Sequence, residues 1–90
     1  RTDSTIETQT TSALTSMKGV FEAAGTTMDN VVKCTVFLTD VKEFARMNEA
    51  YGKFFAGDKG PPARSTVVVA ALVRADAKVE IECIAAMPKH

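Results

Sequence analysis

The sequence has little of what most specialised sites are built from. It carries one histidine, His90, and two cysteines, Cys34 and Cys83, in 90 residues. That set cannot fill a conventional zinc site, which takes four cysteine and histidine ligands or three with an open position. Neither sign of charge is in excess, with 11 lysines and arginines against 11 aspartates and glutamates. There is no basic cluster, and aromatic residues make up only 7%. Phosphate neutralisation and base stacking therefore lack their residues, and no nucleic-acid partner is expected. No apolar run approaches the ~20 residues that cross a bilayer, so no membrane partner is expected either. No secretory or transit signal is legible. Both cysteines fall in apolar stretches and read as buried thiols of a reduced compartment, cytoplasmic or mitochondrial matrix.

What is present is an ordinary globular composition, 46% apolar and 24% charged, in a length that allows one domain over 1–90. Ser4 and Glu7 have the spacing of a capping box. Ile6, Ala13, Leu14, Met17, Phe21 and Ala24 follow at helical spacing, and Gly25 stops the helix. Gly19 lies inside it, which predicts close packing against a neighbour. A turn or short helical piece covers 27–30, and the β-branched run 31–39 reads as a strand. Asp40 and Glu43 repeat the capping pattern and open a second helix with the stripe Phe44, Met47, Tyr51, Phe54 and Phe55, closed by Gly57. Pro61 and Pro62 exclude helix and interior strand from the loop over 58–62. Two further strands are predicted over 64–72 and 78–86. The expected topology is a right-handed parallel crossover followed by an antiparallel hairpin, with two helices on one face of the sheet. Such a sheet has unpaired edges and calls for more strands or partner subunits.

Three positions carry candidate chemistry. Arg64 stands where a proline-rich loop becomes a strand, and its guanidinium can grip a carboxylate with two parallel hydrogen bonds. Ser65 and Thr66 add hydroxyls and backbone N–H groups beside it. Asn48 lies one residue off the apolar stripe of the second helix, so it either fixes that helix against the sheet or lines a cleft. Glu80 and Glu82 share one face of the last strand, where Glu80 is a candidate for holding a water and Glu82 reads as a solvated residue. In a tight hairpin Arg64 and Glu80 would sit at opposite ends, roughly 15 to 20 Å apart. Contact of both with one small carboxylic acid then requires different subunits. The pattern calls for no metal and no cofactor.

Thr35-Val36-Phe37-Leu38-Thr39-Asp40, Asn48-Glu49-Ala50-Tyr51, Pro62-Ala63-Arg64-Ser65 and Val79-Glu80-Ile81-Glu82 resemble the Rid family of reactive intermediate deaminases, also called the YjgF family. The resemblance implies a chorismate-mutase-like α+β fold with a mixed sheet, a homotrimer, and clefts between subunits. It implies hydrolysis of 2-imino acids such as 2-iminobutanoate and 2-iminopropanoate to 2-keto acids and ammonia. By position, Arg64 would bind the substrate carboxylate, Glu80 would hold the attacking water and Asn48 would line the cleft. N-terminal strands with a tyrosine and a serine–glycine segment are also implied and are not among these residues, so the domain is expected to be N-terminally incomplete relative to the family. Thr66 stands where several bacterial members have cysteine, which removes thiolate chemistry. Two rival readings are a non-catalytic ligand-binding or chaperone-like trimer and a translation-inhibiting ribonuclease. The zero net charge and the lack of a histidine pair oppose the second.

Overall fold

The computed structural model describes residues 5–57 and 60–88. Helix α1 spans Ile6–Ala24 and buries Ile6, Thr10 and Leu14, a spacing of four that keeps one stripe against the core. Its N-cap is Thr5, whose hydroxyl accepts the Thr8 amide at 3.2 Å. The expected cap, Ser4, lies outside the described residues, and Glu7 is engaged by Arg46 instead. Gly25 ends the helix at φ 99°, in the left-handed region where a side chain would be strained. At Gly19 a Cβ would meet nothing within 4 Å, so the close packing expected there is absent.

A 3₁₀ turn over Met28–Asn30 leads into β1, Val31–Leu38. The Asp40 carboxylate then accepts the Lys42 amide at 2.9 Å and caps a second 3₁₀ turn, Val41–Glu43. Helix α2 follows as Phe44–Phe54. Glu43 makes no cap hydrogen bond, and Phe55 rather than Gly57 closes the helix. Strands β2, Ala63–Val68, and β3, Val79–Ala85, complete the fold.

The sheet runs in the order β2-β1-β3, with β1 parallel to β2 and antiparallel to β3. The expected hairpin between the last two strands therefore does not form. Both strands pair with β1, whose alternate side chains Cys34, Val36 and Leu38 are fully buried. A central strand satisfies the hydrogen-bonding groups on both its edges, which a terminal hairpin would have left open on one. The connection after β2 crosses to the far edge instead of turning back. The Val69 amide still bonds Leu38 O on one edge of β1 at 2.7 Å, and the Thr39 amide meets Lys78 O on the other at 3.4 Å. Gln9 of α1 holds this connection, donating to Asp76 O at 3.1 Å and accepting the Lys78 amide at 2.7 Å.

Antiparallel register sets Cys34 opposite Cys83 on the helix side of the sheet, and the two are joined by a disulfide. The expectation of two free thiols is corrected by that register: side chains directly across an antiparallel pair stand side by side. Helix residues Ile6, Leu14, Met47 and Tyr51 cover this face with Cys34, Val36, Leu38 and Val79 as one core. The opposite face carries Thr35, Phe37, Ser65, Val67, Glu80 and Glu82, set by the same register. The architecture is the α+β arrangement expected, a mixed sheet with two helices on one side.

Candidate functional site

Arg64 is the second residue of β2 and pairs with Cys34 of β1, which turns its side chain toward α2. Three residues of α2 receive it. Its Nη1 donates to Asn48 Oδ1 at 2.6 Å. Its guanidinium carbon lies 4.8 Å from the Tyr51 ring centroid and 5.6 Å from that of Phe44. Phe44, Asn48 and Tyr51 stand at i, i+4 and i+7, so one helix face presents an amide between two aromatic rings. Among the described residues no carboxylate pairs with Arg64. The guanidinium is thus held by neutral groups, which leave its charge uncompensated. Tyr51 is 2% exposed, and burial pushes its phenol above the ordinary 10.0 while the Arg64 charge pulls the other way. The hydroxyls of Tyr51 and of Thr66, two residues along β2, are buried with no hydrogen-bond partner among the described residues.

Thr66 shares the helix side of the sheet with Arg64, but Ser65 does not. It pairs with Thr35, which pairs on its other side with Glu82, so Ser65 and Glu82 lie in one row on the open face. Glu80 pairs with Phe37 on that same face and is exposed. Arg64 and Glu80 are therefore on opposite faces of the sheet. They are also separated by two strand spacings across and three residues along, roughly 14 Å between backbones. The hairpin behind the expected separation is absent, yet one protomer still does not bring the two residues together. Two hollows of about 350 and 300 Å³, the first lined by Glu7, Glu49 and Lys53 between the helices and the second by Phe54, Phe55, Pro61 and Pro62, both leave Arg64 outside. No group of three metal-ligating side chains occurs among the described residues, and no helix there is long and apolar enough to cross a membrane.

A family profile described as Endoribonuclease L-PSP matches residues 1–87. The chain belongs to this family, the YjgF/Rid proteins. It is 54% identical over 69 residues to Protein DfrA of Myxococcus xanthus, covering 77% of this chain and 50% of that one. It is 44% identical over 82 residues to Reactive Intermediate Deaminase A, chloroplastic, of Arabidopsis thaliana, covering 91% of this chain and 42% of that one. The crystal structure of Escherichia coli TdcF with bound serine superposes with a TM-score of 0.89 at 37% identity, covering 98% of this chain and 69% of the other. This Rid-family chain thus spans about two fifths to three fifths of the length of the curated relatives it matches.

Phe44 and Tyr51 of this Rid chain, expected in the apolar stripe of the core, also contact Arg64. The signal was present in the 44, 48, 51 spacing, which interleaves a polar amide with aromatic residues on one helix face. Asn48, whose two readings stood open, is exposed and bonds a side chain of the neighbouring strand rather than a backbone group.

Proposed function

We propose that this protein hydrolyses reactive 2-imino acids, with 2-iminobutanoate and 2-iminopropanoate as substrates, and that it does so as a homotrimer with its sites between subunits. The observation that carries the reading is a cation, Arg64, held in place by an amide and two rings with no counter-charge among the described residues. Such a guanidinium is poised to accept a carboxylate through a bidentate contact, worth about 1.5 to 3 kcal/mol. The orphaned hydroxyl of Thr66 on the same side of β2 supports a ligand-binding role for that row. The family relation to a protein named as a reactive intermediate deaminase supports deaminase chemistry.

In this mechanism Arg64 clamps the substrate carboxylate and fixes the imine carbon beside it. Asn48 lines the cleft. Glu80 of the partner subunit orients a water and takes its proton as the oxygen adds to the imine carbon. Glu80 returns that proton to the nitrogen to give the carbinolamine. The carbinolamine's hydroxyl proton then passes to the departing nitrogen as the C=O forms, the C–N bond breaks, and ammonia leaves the 2-keto acid behind. The opposite facing of Arg64 and Glu80 within one protomer supports a site shared between copies. Ser65, on the Glu80 face, would then belong to the cleft that faces a neighbour, and Thr66 to the Arg64 side. The reaction needs no cofactor, since imines hydrolyse unaided and positioning supplies the acceleration.

The test is release of ammonia and 2-ketobutanoate from 2-iminobutanoate generated in situ, with semicarbazide competing for the imine. Wild type is expected to accelerate release, and Arg64→Ala to lose saturable activity while keeping its assembly state. An undiminished rate in Arg64→Ala would sink the assignment. Saturable binding of 2-ketobutanoate with no effect on imine lifetime would identify a binding protein instead.

A further inference from the structure

We propose that Phe44 and Tyr51 are positioning residues for the carboxylate clamp, forming an aromatic shelf that orients the Arg64 guanidinium without neutralising it. The proposal rests on the reading of Arg64 as the carboxylate clamp. An arginine that must receive an anion faces conflicting demands. It needs partners to hold its long side chain in one orientation, because that ordering otherwise has to be met when the ligand binds. A carboxylate partner would hold it but would also occupy the donors and charge that the substrate needs. Ring faces and an amide oxygen meet both demands, since they attract a cation and leave its charge uncompensated.

The surroundings follow this logic. Phe44 is 38% exposed, unusual for a phenylalanine, and the ring that solvent reaches is the one beside Arg64. Tyr51 is buried beneath the same guanidinium, so the shelf has a fixed inner ring and an accessible outer one. Asn48 occupies Nη1 only, and among the described residues the remaining donors are left for a ligand. Glu49, next in sequence, belongs to the hollow lined by Glu7 and Lys53, away from Arg64. The helix thus sets its carboxylate aside from the guanidinium and its rings beside it.

Phe44 is the residue to test, because its exposure lets it be changed without emptying the core. In the full-length protein, 2-ketobutanoate binding is measured by calorimetry and KM and kcat are measured with 2-iminobutanoate, for wild type, Phe44→Leu, Phe44→Tyr and Arg64→Ala. Phe44→Leu keeps an apolar side chain and removes the ring. It is expected to weaken ligand binding and raise KM about two- to fivefold with kcat held, and Phe44→Tyr to restore both. Wild-type binding by Phe44→Leu while Arg64→Ala loses the ligand overturns the shelf and leaves the clamp standing. A loss in Phe44→Leu that Phe44→Tyr does not restore also overturns it, because the ring is then not the cause. Wild-type binding by Arg64→Ala overturns the clamp and the shelf with it.

Discussion

Arg46, on α2, and Arg64, which packs against α2, meet opposite kinds of partner. Arg46 projects from α2 to Glu7 of α1, and both nitrogens of its fork reach that carboxylate, at 2.7 and 2.6 Å. Its charge is cancelled where it stands, and both side chains remain about half exposed. Arg64 reaches α2 from the sheet and finds an amide and two rings, with no carboxylate among the described residues. One arginine closes a contact between helices, while the other keeps its charge available. A guanidinium in an ion pair is therefore no sign of a site, whereas one ordered by neutral groups is a candidate anion receiver.

The largest expected effect concerns the row in which Arg64 stands. Across the sheet that row continues through Cys34 to Cys83, and the disulfide between them closes a loop with a sequence separation of 49. Loop-closure entropy of that size predicts a loss of up to about 4 kcal/mol on reduction. Denaturant unfolding with and without a thiol reductant, and of Cys34→Ser with Cys83→Ser, measures it. An unchanged midpoint would mean that the tie contributes nothing to folding.

Second in size is the effect of removing the receiver. Arg64→Ala should weaken 2-ketobutanoate binding roughly ten- to hundredfold, and calorimetry reads it directly. Third is the influence of the open charge on its neighbour. Tyr51 is the one tyrosine of this sequence, and its phenol lies above 10.0 because burial outweighs the pull of Arg64. A folded value above the unfolded one means that this contribution to stability is complete below pH 10 and declines as pH rises through the folded value. Arg64→Met keeps the ring covered and removes the cation, so phenolate absorbance should rise at higher pH than in wild type. A shift to lower pH would contradict the assigned role of the charge.

The smallest effect should come from the closed pair. The Arg46 hydrogen bond holds the Glu7 carboxyl below its ordinary 4.5, helped by a bond from Glu7's own backbone. With the folded value depressed, the pair's contribution is present above 4.5 and fades as pH falls through the lowered value. Glu7→Gln should remove that acid dependence, leave the neutral-pH melting temperature within a few degrees of wild type, and leave 2-ketobutanoate binding unchanged. A loss of ligand binding in Glu7→Gln would erase the distinction between the two arginines.

Much of the fold was legible because local periodicity and capping residues act over a few positions. Leu14 and Met47 announce the buried stripes, Asp40 caps at its expected position although what it caps is a 3₁₀ turn ahead of α2, and the 31–39 run is a strand through Leu38. Pairing was not legible, since the apolar runs near Val67 and Ile81 suit a hairpin as well as two strands flanking β1. Gln9, which anchors the connection over 69–78, lies too far along the chain for a local rule to reach. Of the candidate site, Arg64 and Asn48 were marked by residue type and loop context. Their bond, and the part taken by Phe44, depend on how α2 lies across β2.

The sequence by itself determined the elements, the family, and which side chains carry charge, because these follow from residue identity and short-range order. Only the tertiary structure decided who meets whom. It set Cys34 against Cys83, closed Arg46 with Glu7, and put Arg64 and Glu80 on opposite faces of the sheet. The physical reason is register: the pleat alternates faces residue by residue, so a side chain's partners depend on which strands lie beside it and in what order.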